Sequence, residues 1–248
     1  MPSAPPVRLA LRLVLSAGFV ALAGVSLARY VTGVGVRSSG TPVVVAFGDS
    51  LTEGTGLLAR PWPSVLAGRL ERRKGSGPVT VVNAGISGNR LLREGAGPSG
   101  LTRFEADALR RPGVRWVIVL EGINDLGFSG TVDPGAPPVT PAELIDGYRQ
   151  LIRQARAAGL KIYGGTLLPF EGAASGYFSP DKESVRQAVN GWIRTGREFD
   201  AVVDFDAAVR DPARPGRLFP EYDDGDHLHL SAAGQRALAE AVDLSLFD

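Results

Sequence analysis

Short apolar strand patterns alternate with helical patterns along most of the chain, and this alternation limits the folds open to it. The first run, residues 43–47, is rich in β-branched and aromatic residues, as is typical of a strand buried on both faces of a parallel sheet. Four similar runs follow, at 79–82, 114–120, 160–168 and 201–205. Helical patterns separate the runs, at about 62–73, 101–110, 141–158, 180–196 and 231–241. The order predicts an α/β fold, a three-layer α/β/α sandwich with about five parallel strands.

The clearest helix boundary lies at Thr140. Thr140 is followed by Pro141 at the first helical position and by Glu143 three residues on, which is the pattern of a capping box. Gly159 marks the other end of this helix. These signals fix one of the crossover helices of the sandwich to within a residue or two.

The N-terminal segment has the three regions of a secretory signal peptide. It begins with two arginines and no acid, residues 13–28 carry no charge, and small residues precede Arg29. The alternative is an uncleaved membrane anchor, but a membrane span needs about 20 apolar residues and would enclose that arginine. We therefore expect a signal peptide over 1–28, a linker over 29–42 and one domain over 43–248 of a secreted, extracellular protein.

The charge balance gives no support for nucleic-acid binding. The chain has 27 Lys and Arg against 26 Asp and Glu, a formal net charge of +1, so it lacks the positive field that gathers phosphate backbones. The absence of Cys excludes disulfides and cysteine metal sites. Only two histidines are present, so histidine chemistry must use His227 or His229.

Polar signatures follow three of the predicted strands where the strands end. They are 48–51 (GDSL), 83–90 (NAGISGNR) and 121–125 (EGIND). The carboxyl ends of parallel strands lie at one edge of the sheet, which is where α/β proteins bind their ligands. Each signature alone has an ordinary explanation, because Ser50 could be a helix N-cap and Asn124 a partner of loop backbone. The combination and its order along the chain therefore carry the functional information.

A further polar signature lies near the C-terminus, at 223–231 (DDGDHLHLS). Asp226 and His229 are three residues apart, so a single turn can bring the carboxylate against the imidazole. Acyl transfer needs a nucleophile, a base, a group that orients the base, and donors for the developing oxyanion. Ser50, His229, Asp226 and Asn124 supply one candidate for each role.

These signatures together resemble the four blocks of the SGNH hydrolases, also called the GDSL family of esterases and lipases. The GDSL of 48–51, the block-two glycine, the GxND of 122–125 and the DxxH of 226–229 occur in the family's order. The resemblance covers residues 43–242. Within the family, the sequence is similar to a branch of extracellular bacterial members related to an esterase of xylan-degrading systems. The family usually has proline after its histidine, where Leu230 stands here. The fold it implies is a flavodoxin-like sandwich with a five-stranded parallel sheet.

The resemblance also implies a role for each site residue. Ser50 would be the nucleophile, His229 its base, and Asp226 the group that orients the imidazole. The oxyanion would be bound by the N–H groups of Ser50 and Gly88 and by the side-chain amide of Asn124. Gly88 fits the family's glycine because it follows a small polar residue and precedes an Asn. No cofactor and no metal ion would be needed.

The resulting prediction is a monomeric serine ester hydrolase that acts on a small-molecule or polysaccharide ester. No long apolar lid is visible in the sequence, which favours short acyl groups, above all acetyl, on a saccharide or a small alcohol. A lipase or arylesterase of longer acyl chains is the alternative. Aromatic residues near the strand-end loops could line an acyl or sugar pocket or pack in the core. They are Trp62, Phe128, Phe170, Tyr177 and Phe178.

Other interpretations stay open from the sequence alone. His227 with Asp224 forms a second Asp-x-x-His pattern, although Ser231 as the N-cap of the last helix favours His229. The two histidines and the neighbouring carboxylates could instead hold the metal ion of a metal-dependent hydrolase. A third possibility is a protein that keeps the sandwich fold without catalytic activity and serves as a glycan-binding module. The glycine spacing of residues 95–100 matches the pattern of dinucleotide-binding loops, but these residues lie well beyond the end of the predicted strand at 79–82. We interpret them as a flexible flap beside the site.

Overall fold

The structure, a computed structural model, describes residues 40–54, 60–75, 77–130, 135 and 137–248. These residues belong to one compact unit. The predicted signal peptide, 1–28, and the linker up to residue 39 lie outside the described residues. Within the part of the chain that is described, no helix has the length and apolar character needed to cross a membrane.

Five parallel strands form a single sheet in the order β2-β1-β3-β4-β5. They are β1 (Val43–Gly48), β2 (Thr80–Gly85), β3 (Val114–Leu120), β4 (Lys161–Gly165) and β5 (Ala201–Val203). This is the flavodoxin-like strand order, in which the direction of chain progress reverses between β1 and β3. The predicted α/β sandwich with five parallel strands is confirmed.

Helices form the two outer layers. They are α1 (Ser50–Glu53), α2 (Trp62–Glu71), α3 (Gly100–Phe104), α4 (Ile123–Phe128), α5 (Pro141–Ala157), α6 (Pro180–Thr195), α7 (Phe205–Val209) and α8 (Ala232–Ala241). The connection from β1 to β2 crosses the sheet in one direction, and the later connections cross it in the other. Because such crossovers are right-handed, the β1-to-β2 connection lies on the opposite face of the sheet from the later ones. α2 therefore covers one face together with α7 and α8, and α3, α5 and α6 cover the other.

The central strands explain the apolar runs of the sequence. All six residues of β1 are buried, because this strand has neighbours on both edges and helices on both faces. The same holds for the last five residues of β3. Side chains from both helical layers meet these strands, as where the rings of Phe47 and Phe104 pack edge to face with centroids 5.1 Å apart.

The predicted helix boundaries are largely confirmed. Thr140 and Glu143 form the reciprocal hydrogen bonds of a capping box at the start of α5. Ser231 caps α8 by accepting a hydrogen bond from the N–H of Gly234. The helix predicted at about 101–110 is an α-helical turn followed by a π-helical turn, Glu105–Leu109, in which the Arg110 N–H reaches the Glu105 carbonyl.

The strand predicted over 160–168 ends early, at Gly165. Beyond that residue the backbone of Leu167 bonds to side chains of α6 in place of a neighbouring strand. Its N–H donates to Asn190 Oδ1 at 2.8 Å, and its carbonyl accepts from Asn190 Nδ2 and Arg186. Leu167 and Leu168 are nevertheless buried. The sequence therefore keeps its apolar character although the sheet has ended.

Candidate active site

Two of the predicted site residues follow neighbouring strands at the point where the strand order reverses. Ser50 begins α1 two residues after β1, and Asn124 lies in the first turn of α4 after β3. Gly48 and Leu120 are paired at the ends of these strands, and a Cβ at Gly48 would lie 2.2 Å from the Leu120 carbonyl oxygen. A side chain larger than hydrogen at this glycine would therefore separate the two strand ends.

The structure brings Ser50, His229 and Asp226 together in one chain of hydrogen bonds. His229 Nε2 lies 3.0 Å from Ser50 Oγ, and His229 Nδ1 lies 2.6 Å from Asp226 Oδ2. Ser50 is buried, the His229 side chain is 22% exposed, and the Asp226 side chain is 54% exposed. With the Nδ1 proton directed to the carboxylate, Nε2 is free to accept the proton of the serine hydroxyl.

Local hydrogen bonds shape the loop that carries this pair. Asp226 Oδ1 accepts from the N–H groups of Leu228, at 2.9 Å, and His229, at 2.7 Å. An antiparallel bridge between Asp223 and Leu230 closes the loop. Leu230 stands where the related family usually has proline, and its side chain is buried beneath the loop. Packing and backbone pairing thus hold the loop at this position.

The charges of this site shift the pKa values of both members of the pair. Burial acts to lower the pKa of His229, but the hydrogen bond and the negative charge of Asp226 outweigh it, so the pKa lies above its ordinary value. The hydrogen bond with His229 holds the pKa of Asp226 far below its usual range. The carboxylate is therefore charged wherever the imidazole titrates.

The second histidine has a different partner from the one expected. The His227 ring bonds through Nδ1 to Asp223 Oδ2 at 2.5 Å, so the Asp224–His227 pair considered from the sequence is not formed. The two imidazoles are bound to different carboxylates. Among the described residues, no group of three or more His, Asp or Glu side chains is placed to hold a metal ion.

The turn after β2 presents the glycine predicted to bind the oxyanion. The Asn89 N–H bonds to the Ile86 carbonyl at 3.0 Å, and Gly88 has a φ of +75°, as expected at the third position of a type II turn. Ser87 ties the turn to α1, because its N–H and its hydroxyl both bond to Glu53 Oε2. The turn that contains Gly88 is thereby fixed to the helix that begins with Ser50.

The Asn124 side chain makes two buried hydrogen bonds. Its Nδ2 donates to the Asn89 carbonyl at 2.9 Å, and its Oδ1 accepts from the Tyr177 hydroxyl at 2.8 Å. The carbonyl of Asn89 can only accept, so the amide nitrogen must be the atom that faces it. The second proton of Nδ2 remains available as a donor.

Residues 95–100, interpreted from the sequence as a flexible flap, are tied to the block-two turn. Asn89 Nδ2 donates to the carbonyls of Ala96 and Pro98, both at 2.8 Å, and the Gly100 N–H donates to the Arg90 carbonyl at 2.7 Å. Asn89 is fully buried. The flap interpretation is wrong, because this loop is anchored by hydrogen bonds at both of its ends.

A buried arginine absent from the sequence-based site lies beneath these turns. Arg103 of α3 donates to the carbonyls of Gly48 and Ala84, both at 2.8 Å, and to Glu121 Oε2 at 3.1 Å. Its Nε donates to Asn89 Oδ1 at 2.8 Å. The guanidinium thereby contacts the ends of β1, β2 and β3. Its position within an ordinary helical pattern gave no signal of this role.

Three buried carboxyl groups, those of Asp49, Glu121 and Asp125, lie just after the ends of β1 and β3. Asp125 accepts from the N–H groups of Leu91 and Leu92, and burial raises its pKa to about 6. Burial also raises the pKa of Asp49 to about 7 and that of Glu121 well above its ordinary value. Among the described residues, Asp49 Oδ2 and Glu121 Oε1 are buried without a hydrogen-bond partner. Carboxyl groups whose burial is unfavourable therefore lie next to the candidate site.

The five aromatic residues considered as pocket walls have mainly packing roles. Trp62 and Phe170 are fully buried, and Trp62 packs against Phe205. Phe128 and Phe178 are partly buried against the core. Tyr177 is also buried, but it has the additional polar contact with Asn124 described above.

Known proteins resemble this chain in sequence and fold. The family model of the GDSL-like Lipase/Acylhydrolase family matches residues 46–237. The chain belongs to this family. It is a carboxylic ester hydrolase of the GDSL, or SGNH, type. No curated protein sequence matches it.

Two solved structures illustrate the similarity of this GDSL hydrolase to its relatives. Axe2, an acetylxylan esterase from Geobacillus stearothermophilus, is 25% identical, with a TM-score of 0.60 over 81% of this chain and 91% of that chain. A protein assigned to the lipolytic G-D-S-L family, from Desulfitobacterium hafniense, is 19% identical, with a TM-score of 0.58 over 81% of this chain and 97% of that chain. The first supports the expected resemblance to xylan-associated esterases, and the second shows the shared fold.

The raised pKa of Asp49 makes the stability of this GDSL hydrolase depend on pH. The folded state holds this proton up to about pH 7, whereas the unfolded chain releases it near 3.8. Stability is therefore lost as pH rises between these values. Asp49→Asn keeps an oxygen for the Leu51 N–H and cannot ionise. Its advantage over the wild type in urea unfolding should grow with pH, by at most about 1.4 kcal/mol per pH unit.

Asp243→Asn provides the matched control. Asp243 caps the last turn of the chain, and the hydrogen bond from the Ser245 N–H lowers its pKa, so its contribution to stability is lost only as pH falls. Between pH 4.5 and 8 this variant should parallel the wild type. Parallel curves for Asp49→Asn over the same range would show that Asp49 is not a buried, protonated group.

Proposed function

We propose that the protein is a secreted serine esterase that uses Ser50 as nucleophile, His229 as base and Asp226 to orient the imidazole. The observation that carries the proposal is the 3.0 Å contact between His229 Nε2 and Ser50 Oγ, on an imidazole whose Nδ1 is bound to Asp226. Membership of the GDSL family supports it. The signal-peptide pattern of residues 1–28 supports export.

In the first step, Ser50 Oγ attacks the ester carbonyl carbon while His229 Nε2 takes the hydroxyl proton. The charge that develops on the carbonyl oxygen is bound by the N–H groups of Ser50 and Gly88 and by Asn124 Nδ2. Ser50 is the first residue of α1, so its N–H has no acceptor within that helix. Collapse of the tetrahedral intermediate breaks the ester C–O bond, and His229 returns the proton to the leaving alcohol.

In the second step, water releases the acyl group. His229 Nε2 takes a proton from a water molecule as the water oxygen attacks the carbonyl carbon of acyl-Ser50. The same donors bind the second oxyanion. When this intermediate collapses, the bond to Ser50 Oγ breaks and the imidazolium returns the proton to the serine. The products are a carboxylic acid and the free enzyme, with no net change in His229.

The substrate we propose is a short acyl ester, above all an acetyl ester, of a saccharide or a small alcohol. The similarity to Axe2, an acetylxylan esterase, supports this choice. The sequence also lacks a long apolar lid over the described residues. Hydrolysis of longer acyl chains is the second candidate, because the family includes lipases.

The nucleophile can be tested with two inhibitors and three variants. Ser50→Ala and His229→Gln should abolish hydrolysis of p-nitrophenyl acetate, because each removes a group that the first step requires. His227→Gln is the matched control and should retain activity, because His229 is the histidine that contacts Ser50. A serine-directed phosphonate should inactivate the enzyme and modify Ser50, whereas a chelator should leave the rate unchanged.

The opposite results would identify another class of protein. Inactivation by the chelator without modification by the phosphonate would indicate a metal-dependent hydrolase. Binding of polysaccharide by a wild-type protein that hydrolyses no ester would indicate a glycan-binding module.

The raised pKa of His229 predicts the acid limb of the pH profile. The first step needs a neutral imidazole, so kcat/KM should rise with pH through a midpoint above the ordinary histidine value of 6.5. Asp226→Asn removes the charge that raises this pKa and favours the wrong tautomer. It should lower kcat by about 10²–10⁴-fold and move the midpoint to lower pH. An unchanged midpoint in this variant would show that His229 is not the titrating base.

The acyl preference can be measured with p-nitrophenyl esters of increasing chain length, beside acetylated xylan. We expect kcat/KM to be highest for the acetate and to fall as the chain lengthens. Acetate should also be released from acetylated xylan, with Ser50→Ala as the blank. A maximum at octanoate, with no acetate released from the polysaccharide, would favour the lipase alternative.

A further inference from the structure

We infer that Tyr177 is a positioning residue of the oxyanion hole, which holds the Asn124 amide so that one N–H proton stays directed to the reacting carbonyl oxygen. The inference rests on the proposed function, because it assigns a task to a residue that acts through Asn124. Tyr177 lies outside the four sequence blocks, 53 residues from the asparagine that it contacts.

Among the described residues, the hydrogen bonds of the Asn124 side chain leave one amide proton without a partner and favour one orientation of the amide. Tyr177 donates to Oδ1 at 2.8 Å, and Nδ2 donates to the Asn89 carbonyl at 2.9 Å. Both contacts are buried. Turning the amide over would set Oδ1 against the Asn89 carbonyl oxygen, so the two partners permit a single orientation. A hydrogen bond accepted at the amide oxygen also strengthens the N–H donors of the same amide.

The Tyr177 ring is itself held in place by α4. Asn124 and Gly127 are three residues apart and share one face of that helix. The ring lies directly on Gly127, where a Cβ would stand 2.0 Å from Tyr177 Cζ. Phe128 and Phe170 pack against the same ring nearly edge to face, with centroids 5.5 and 6.0 Å away. The glycine at this position therefore gives the tyrosine its access to Asn124.

Lys182 links the two backbone segments that lie next to the Tyr177 ring. Lys182 Nζ donates to the carbonyls of Gly127 at 2.8 Å, Gly176 at 2.7 Å and Tyr177 at 3.2 Å. One ammonium group thus joins the end of α4 to the segment that carries the tyrosine. Burial raises the pKa of the Tyr177 phenol well above its ordinary value, so the hydroxyl keeps its proton over the whole working range of the enzyme.

Packing alone does not account for a tyrosine here. A phenylalanine would fill the same space between Gly127, Phe128 and Phe170 without burying a hydroxyl that needs a partner. The hydroxyl has a single described partner, the oxygen of the asparagine that the proposed mechanism uses. The geometry thus points to a contact that serves the orientation of Asn124.

The first test is Tyr177→Phe, which removes the hydroxyl and keeps the ring. With p-nitrophenyl acetate, kcat should fall about tenfold with KM little changed, because the lost contact acts on the transition state. Tyr163→Phe is the matched control. Tyr163 is also a buried tyrosine that donates to one carbonyl, that of Leu246, but it lies on β4 away from the site. This control should leave kcat unchanged.

The second test asks whether Tyr177 acts through Asn124. Asn124→Ala alone should lower kcat by about 10²–10³-fold. In that background Tyr177→Phe should have no further effect on kcat, because the amide it would position is absent. A structural role would instead lower kcat by the same factor in both backgrounds.

The outcomes separate this inference from the proposed function. Full activity of Asn124→Ala would remove the oxyanion role itself. A low kcat for Asn124→Ala with a normal kcat for Tyr177→Phe would overturn only the role of Tyr177. If Tyr177→Phe does not fold, Lys182→Met releases the same segment and should give a kcat loss that disappears in the Asn124→Ala background. A loss that persists there would overturn the inference.

Discussion

The buried guanidinium of Arg103 is the interaction on which the geometry of the site depends. It is buried, and it donates hydrogen bonds to carbonyls at the ends of β1 and β2 and to the carboxylate of Glu121 that follows β3. The same group lies 3.9 Å from the centre of the Phe47 ring, so it is also packed against the core. Ser50, Gly88 and Asn124 each follow one of these strand ends within a few residues. A single buried charge therefore sets the spacing between the three proposed oxyanion donors.

That arrangement has an electrostatic cost. Arg103 bonds to Glu121 and acts on Asp49, Arg90 acts on Asp125, and the pKa values of all three carboxyl groups are raised by burial. Removing Arg103 would leave the buried Glu121 without the cation that it contacts, which is far more costly than losing an exposed ion pair. Asp49 also acts on the site, because once it ionises, at about pH 7 and above, its negative charge helps to raise the pKa of His229. The cluster thus couples the strand ends to the base electrostatically as well as sterically.

The sequence predicted the sheet and the site residues that lie in local patterns. Apolar runs, glycine turns and Asp-x-x-His spacing are short-range signals, and they led to Ser50, Asn124 and the Asp226–His229 pair. The roles of Arg103 and Tyr177 were missed because their contacts join residues far apart in the chain. Arg103 meets Gly48 across 55 positions, and Tyr177 meets Asn124 across 53. An arginine within a helical pattern and a tyrosine among loop aromatics give no sign of such partners. The early end of β4 was missed for the same reason, because side chains of α6 replace the strand partner.

The same distinction divides the site into two halves that are built differently. The half that holds the proposed base is local: within residues 222–231, hydrogen bonds donated to Asp226 by two backbone N–H groups, together with one antiparallel bridge, set the position of His229. The half that holds the proposed oxyanion donor Asn124 is long-range. Asn89 and Tyr177 bond to the Asn124 amide, Arg103 bonds to the Asn89 side chain, and Lys182 bonds to the Tyr177 carbonyl. Donors that are fixed by buried contacts keep their positions as negative charge develops on a carbonyl oxygen. The division matches the two proposed tasks, because the partly exposed His229 imidazole would exchange protons with several partners and the oxyanion donors would keep fixed positions.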